Sequence, residues 1–406
     1  MKKTTDILIV GGGVGGSMAA IAAARKGCSV MLIERGGCLG GMWTAGFVGF
    51  TLDSSNKDGL LKEFLTGVNQ EQEKNAATIF EIQKYLLEKM CREAGVQICY
   101  HSQVCTVRVC GRNIQSVRVI TKSGISEIES VVVIDATGDG DVASMAGCGF
   151  EYGRISDRKA QPMSMIALIS GLDQRALPYI SYPDKPFWNA RLRLKAILDR
   201  VGAAYSINCP SIQPLCDGLY ILSANQEYGK NGCNVDELTE ATIQARAEIY
   251  HMVQALKSGA PEVFNNLALA ATPECIGVRE GRRIHGRYTI TVDDIIAGKR
   301  HEDAVCLVRY WVDIHSLEEN DGSGFTDDGI KAQPFDIPFR SLLAADIDNL
   351  ILAGRCISGD FYAHACYRVA GDMAPVGEAA GRMAARAVKE GVQPWELKYD
   401  SHRYDE

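Results

Sequence analysis

Residues 7 to 35, ILIVGGGVGGSMAAIAAARKGCSVMLIER, constrain the fold of this chain more than any other stretch. Ile7-Leu8-Ile9-Val10 is apolar without alternation, which reads as a strand buried on both faces of a parallel sheet. Gly11, Gly13 and Gly16 follow at once in G-x-G-x-x-G spacing. An alanine-rich helix runs to Lys26, Gly27 breaks it, and Cys28 to Ile33 is a second apolar run closed by Glu34. This is a complete strand–helix–strand unit ended by an acid. Gly11 permits the tight turn, Gly13 lets the backbone approach a pyrophosphate, and Gly16 lets helix and strand pack closely. The helix start presents N–H groups and the positive end of its dipole to the phosphates. Glu34 stands where a carboxylate accepts hydrogen bonds from ribose hydroxyls. A glycine-rich turn in some other α/β protein would not need Ala20, Gly27 and the acid in register. The stretch therefore reads as a dinucleotide site, and the acid favours FAD or NAD over NADP.

Composition limits the alternatives. With 406 residues, 46% hydrophobic and 23% charged, the chain is long enough for two or three globular domains. The net charge of −7 comes without a block of like charges, so neither nucleic acid nor an anionic membrane is expected as a partner. No apolar span is long enough to cross a bilayer, and the first strand leaves no room for a signal peptide ahead of it, so a cytoplasmic protein is expected. Fourteen cysteines occur without C-x-x-C spacing, which reads as small buried hydrophobes in a reduced protein and not as a metal site. Cys38, Cys356 and Cys366 are minor redox candidates because they fall near the proposed cofactor loops.

Arg35 to Gly46 is dense in glycine, including Gly40 and Gly41 beside Met42, and reads as a loop lying along the cofactor. A short helical piece is expected at Leu60 to Leu65, and a helix at Ala76 to Ala94 stopped by Gly95. Val104 to Val109, Ile114 to Thr121 and Ser126 to Glu129 alternate as a three-stranded meander. Val131 to Ile134 then reads as a further buried parallel strand, with Ala136-Thr137-Gly138 at its carboxyl end, where open α/β sheets place ligands. Asp139 and Asp141 read as helix-start caps in preference to metal ligands. In the next region Met163 to Leu168, Leu267 to Thr272 and Arg287 to Val292 read as strands, and Phe187 to Val201 and Val235 to Lys257 as helices. Thr291 reads as the cap of a short turn stopped at Gly298. Asn349 to Arg355 is a strand ending at Gly354. Gly371 to Ala385 is a helix with Pro375 in its first turn. The fold class is α/β: a Rossmann-like dinucleotide-binding domain with a three-stranded meander and an inserted α+β substrate domain. The expected division is residues 1–155, the first part of the cofactor domain; 156–338, a substrate-covering domain; and 339–406, the rest of the cofactor domain.

Three separated motifs carry a resemblance. They are Gly11-x-Gly13-x-x-Gly16 with Ala20, Gly27 and Glu34; Ala136-Thr137-Gly138; and Leu352-Ala353-Gly354 followed by Ala374-Pro375-Val376-Gly377-Glu378-Ala379-Ala380-Gly381. Together they resemble FAD-dependent oxidoreductases of the glutathione-reductase-like fold, in the bacterial branch with a single FAD domain. The resemblance implies FAD as cofactor. It places Gly13, Val14, Gly15 and Gly16 at the pyrophosphate, Glu34 and Arg35 at the adenosine, and Gly40, Gly41 and Met42 along the ribityl and flavin side. Val104 would meet adenine through its backbone, and Met373, Ala374 and Val376 would lie at the flavin ring. Relatives often carry an acid after the Ala-Gly of the last strand; here Arg355 stands there and Asp360 follows, and either is a candidate for the cofactor.

The expected reaction is hydride transfer between a small organic substrate and flavin N5. His364 is the candidate acid or base. Arg368 and Arg279 are the candidates for holding an anionic substrate or stabilising charge on the reduced flavin. The plainer reading of Arg368 is an ion pair with Asp372. Trp311, Asp313 and His315 alternate on one strand face and serve packing as well as they would serve a site. No second glycine-rich unit for NAD(P)H exists, so electrons come from the substrate or from a separate donor. The alternatives are a flavin-dependent monooxygenase of the aromatic hydroxylase type, and a non-catalytic FAD-binding protein.

Overall fold

The computed structural model describes residues 2–74, 77–181, 187–216, 218–319 and 324–399. β1 (Lys2–Val10) leads through the glycine turn into α1 (Val14–Arg25) and β2 (Val30–Ile33). α2 (Gly59–Lys74) and α3 (Ile79–Glu93) precede β3 (Gln97–Cys99), and β4 (Gln103–Cys110), β5 (Asn113–Thr121) and β6 (Gly124–Asp135) follow. These strands form one sheet in the order β3-β2-β1-β6-β5-β4, and the late strand Leu350–Leu352 also pairs with β6. β1 runs parallel to β2 and β6, with Val10 beside Ile33 on one side and Asp135 on the other. Ile7 to Val10 are at most 3% exposed, as an unalternating apolar run in the middle of a parallel sheet should be.

β6 corrects one expectation. The third meander strand and the buried parallel strand are a single strand of 12 residues. Its first half pairs antiparallel with β5, from Gly124 to Ile128. Leu350–Leu352 then takes over that edge, opposite Val133 to Asp135, while β1 holds the other edge throughout. The polar break at Glu129-Ser130 marks the change of neighbour and not the end of a strand. α2 also runs well beyond the expected Leu60 to Leu65. Only Leu60, Leu61, Phe64 and Val68 of its 16 residues are buried, so a narrow apolar stripe carries a mostly polar helix.

The final helix, Ala370–Glu390, lies against α1 in backbone contact. A Cβ on Gly377 would stand 2.0 Å from the Gly15 carbonyl oxygen, and one on Gly381 2.1 Å from that of Ala19. Pro375 is the sixth residue of this helix and so lies in its second turn, not its first. The helix tolerates it there at the loss of one internal hydrogen bond.

The inserted unit has its own sheet, in the order Ala268–Ala271, Ile166–Ser170, Leu219–Ser223, Ser211–Cys216, all antiparallel. The helices Phe187–Val201 and Val235–Gly259 accompany it. Its apolar core is drawn from residues between Met163 and Ile276. From Ile284 onward the chain packs into the core of the parallel sheet. The expected strand at Arg287 to Val292 is absent: the pairing falls earlier, Arg283–Ile284 against Phe150–Glu151, and Ile290 makes a single bridge to Gly359. Thr291 does cap the helix Val292–Ala297, sharing a reciprocal capping box with Asp294, and Gly298 ends it at φ +62°. The molecule is thus an α/β protein with a Rossmann-like sheet, a meander and an inserted α+β unit.

Candidate cofactor and substrate site

The three sequence motifs meet at the carboxyl ends of the parallel strands. Gly11 has φ +102°, and a Cβ there would lie 2.3 Å from the Ala136 carbonyl oxygen. One on Gly16 would lie 1.9 Å from the Gly11 oxygen, and one on Gly15 3.2 Å from the Gly354 nitrogen. At Gly11, Gly15 and Gly16 the turn is therefore packed backbone to backbone, against residues 136, 353–354 and itself, with no room for a side chain. Gly13 is different: a Cβ there would meet nothing within 4 Å, and the same holds at Gly354. Protein packing does not demand glycine at these two positions; the open space beside them leaves room for a ligand. Gly13 is also the N-cap of α1 and offers no side chain to its first turn, so the amides of Val14, Gly15 and Gly16 head a helix without a side-chain cap. Such a start binds phosphate.

Glu34 is held rigidly beside this turn. One carboxylate oxygen accepts the Gly12 N–H at 2.7 Å and the other the Gly36 N–H at 2.6 Å. Each oxygen keeps acceptor capacity, and the side chain is half-exposed, as a partner for a ribose diol must be. Arg35 next to it is exposed. Gly40 bridges to Gly13, with its N–H on the Gly12 carbonyl at 2.8 Å, so Gly40, Gly41 and Met42 run alongside the glycine turn. Val104 is buried on β4 opposite Val119, and the Ser102 N–H just before it bonds the Glu34 carbonyl at 3.0 Å. Bare amides, open space at two glycines and a fixed acid fit an adenine dinucleotide.

Ala136-Thr137-Gly138 is shaped by Asp135, whose carboxylate accepts the Thr137 N–H and hydroxyl at 3.1 and 2.7 Å and the Ala143 N–H at 2.8 Å. Burial pushes the Asp135 carboxyl up to about 6. Arg355 folds over Gly138 and pairs with Asp139 at 2.5 Å. Asp141 pairs with Arg282 at 3.0 Å. Among the described residues no group of three or more His, Cys, Asp or Glu could hold a metal ion. Asp360 is the N-cap of the helix Phe361–Tyr367, accepting the Ala363 N–H at 2.8 Å, and it also takes the Val292 N–H at 2.5 Å. It thereby ties two elements together. Met373, Ala374 and Val376 are at most 4% exposed, and the Gly371 N–H bonds the Leu52 carbonyl at 3.1 Å, so this helix start offers a ligand chiefly backbone. Cys356 and Cys366 are enclosed, and burial raises both thiols and that of Cys38, which leaves them poor nucleophiles.

Arg279 and Arg368 come together on the inserted side. Arg368 does not pair with Asp372, which takes the buried Lys57 at 3.0 Å. It lies 3.5 Å from the Asp313 carboxylate and donates to the Asp313 carbonyl at 2.7 Å and to Gln161 Oε1 at 3.0 Å. Arg279 donates to the Pro162 carbonyl at 2.6 Å. Burial, with Arg368 close by, lowers Arg279 to about 9. Arg283 is committed elsewhere, to a buried pair with Glu280 and to the carbonyls of Gly359 and Gly153.

His364 is fully enclosed and packs edge-on against Tyr367 at 5.6 Å. Burial, helped by Arg283 and Arg368, drives it well below the ordinary range, so it is neutral. The histidine that joins the arginines is His315. Its Nδ1 meets Gln226 Nε2 at 2.9 Å, and Gln226 Oε1 accepts the Tyr228 hydroxyl at 2.5 Å. The Gln226 amide therefore donates, the proton of neutral His315 sits on Nε2, and that nitrogen faces Asp313 at 3.6 Å. The Trp311-Asp313-His315 alternation was the sequence signal for this residue; nothing in the sequence singles out Gln161, Gln226 or Tyr228.

Burial, with Arg279 next, lowers His315 from 6.5 to about 4. The unfolded chain therefore takes up a proton near pH 6.5 that the folded protein refuses until about 4, so stability falls as pH falls through that window. The expected slope from this residue is at most about 1.4 kcal/mol per pH unit. Denaturant unfolding of His315→Gln at pH 7 and pH 5 is expected to show a shallower loss than the parent protein.

The model of the FAD dependent oxidoreductase family matches residues 6–404. The chain belongs to this family. It is an enzyme, and FAD is its cofactor. No curated protein matches it. Solved structures similar to it are distant. A geranylgeranyl bacteriochlorophyll reductase-like protein from Thermoplasma acidophilum is 14% identical, over 99% of this chain and 81% of its own, with TM-score 0.48. The p-nitrophenol 4-monooxygenase from Pseudomonas putida is 11% identical, over 99% and 84%, with TM-score 0.47. A flavin-dependent brominase is 14% identical, over 97% and 82%, with TM-score 0.48. Among the described residues, no helix of this oxidoreductase is long and apolar enough to cross a membrane.

Proposed function

We propose that this oxidoreductase transfers a hydride between a small organic substrate and N5 of its flavin, with the FAD held in the glutathione-reductase manner. The observation that carries the reading is the backbone-to-backbone meeting of residues 11–16, 136 and 353–354 around the open sides of Gly13 and Gly354. In this reading Gly13, Val14, Gly15 and Gly16 bind the pyrophosphate through their amides. Glu34 and Arg35 hold the adenosine, and Val104 meets adenine through its backbone. Gly40, Gly41 and Met42 line the ribityl and flavin side, with Ala136, Thr137, Gly138, Gly354, Arg355 and Asp360 around them. The backbone at Met373, Ala374 and Val376 bounds the ring. In this reading the inserted unit between Met163 and Ile276 covers the substrate, and the segments on either side of it build the cofactor domain. Bound FAD supplies a two-electron acceptor or donor next to the substrate. The protein's own part is to exclude water, orient the substrate and balance charge: Arg368 and Arg279 supply positive charge, and neutral His315 is oriented by Gln226 and Asp313.

The deciding experiment is anaerobic mixing of the yellow enzyme with a panel of small organic acids, alcohols and amines. The expected result is bleaching of the flavin by one class of them with no oxygen present. Product that forms only when oxygen is admitted, and that carries an oxygen atom from it, would make the enzyme a monooxygenase instead.

A further inference from the structure

We propose that Arg279, Arg368 and Gln161 form a binding subsite for a carboxylate group, which makes the substrate an organic acid; the proposal rests on the flavin-enzyme reading above. Four separate stretches converge here. Gln161 enters the inserted sheet, Arg279 leaves it, Asp313 and His315 belong to the segment that pairs with Phe325–Thr326, and Arg368 immediately precedes the final helix. The place adjoins the expected flavin side of the cofactor loop, because a Cβ on Gly277, two residues before Arg279, would lie 3.2 Å from Met42 Cε.

The charges do not balance. Arg368 pairs with Asp313, which also faces His315 at 3.6 Å, and the same carboxylate is the one acid that acts electrostatically on Arg279. His315 is neutral, and Glu280 is taken by Arg283. The cluster is therefore left with an excess positive charge, and the two arginines are close enough to disfavour each other.

The hydrogen bonds show what is missing. Gln161 is 2% exposed. Its Oε1 accepts from two donors, Arg368 and the His315 N–H, both at 3.0 Å. That fixes the orientation of the amide and leaves Nε2, a donor, enclosed and without a partner. Nε of Arg368 is likewise enclosed and unpartnered. Both orphaned atoms are donors, so the group that completes the cluster is an acceptor. With a net positive surround, that acceptor is an anion, and a carboxylate can take the amide and a guanidinium at once. An unpaired buried donor is costly, so a ligand that satisfies two of them gains accordingly.

The test is calorimetric titration of the FAD-loaded protein with propionate and succinate, against propionamide as the uncharged isostere. The proposal expects the acids to bind at least tenfold more tightly than the amide, with a change in the flavin absorption bands. Arg279→Gln and Arg368→Gln should each weaken propionate at least tenfold while FAD remains bound. Equal or undetectable binding of propionate and propionamide to the unmodified yellow protein overturns the subsite and leaves the flavin-enzyme reading standing. Loss of FAD from both variants, with no carboxylate binding to the parent, would assign these donors to the flavin. A parent protein that takes up no FAD would overturn the functional reading itself. The comparison of acid and amide needs no variant, so a variant that fails to fold does not spoil it.

Discussion

Gly377→Val is expected to cost about 3 kcal/mol or more of stability and to abolish retention of FAD. The added Cβ would begin 2.0 Å from the Gly15 carbonyl oxygen and 2.7 Å from its Cα. The obstruction is backbone in α1, so no side-chain rotation relieves it. The final helix must lift away from α1, and α1 carries the glycine turn at its start. Gly67→Ala is the control for adding a Cβ inside a helix: that methyl meets only the flexible Leu86 side chain at 3.5 Å. It is expected to be neutral or to gain up to about 1 kcal/mol from helix propensity. Chemical denaturation and the flavin content after gel filtration read both outcomes. A Gly377→Val protein as yellow and as stable as its parent would contradict the packing described here.

Lys57→Met is the second large effect. Lys57 is buried, and its ammonium group meets Asp372 at 3.0 Å, Asp53 at 3.2 Å and Asn56 Oδ1 at 2.9 Å. The side chains of Lys57, Asp53 and Asp372 are 3%, 6% and 0% exposed. Removing the cation leaves both enclosed carboxyl groups without a counter-charge, and because burial already pushes the Asp372 carboxyl well up, the loss is expected at about 3 kcal/mol. Cys306 also donates to Asp372, at 3.4 Å, but a thiol cannot replace an ammonium. The double variant Lys57→Met with Asp372→Asn should recover part of the loss, because one stranded charge goes with it. Additive losses in the double variant would mean that the pair does not couple. The position matters beyond stability: Asp372 is in the first turn of the final helix, so this pair anchors that turn to the segment before α2.

The glycine turn, the acid at 34 and the terminal helix were legible because their signals are local. Spacing and small size say where backbones must approach, and Gly11, Gly16, Gly377 and Gly381 are each pressed against a carbonyl in the fold. What was not legible depended on which distant segment arrives. Nothing around Glu129-Ser130 says that one strand will change partners there instead of ending. Arg368 reads as a partner of Asp372 by proximity in sequence, but the helix begins between them, and tertiary contacts send one to Asp313 and the other to Lys57. His364 has the residue type of an acid or base, yet the inward face of its helix encloses it, while His315 reaches the arginines from a short strand paired with Phe325–Thr326. Pro375 invites the start of a helix at its own position; the actual start, five residues earlier, is set by Val369 and the Leu52 carbonyl.

In the function proposed above, both ends of the chain build one FAD cradle around the glycine turn and Glu34. Titration of the apoprotein with FAD, followed by quenching of flavin fluorescence, tests it most directly. The parent protein is expected to take up FAD saturably and in equimolar amount. For Glu34→Gln, which loses charge-assisted acceptance of ribose hydroxyls, the expected affinity is lower by roughly ten- to a hundredfold. Apoprotein that takes up no FAD, or a Glu34→Gln variant that binds it as tightly as the parent, would contradict that reading.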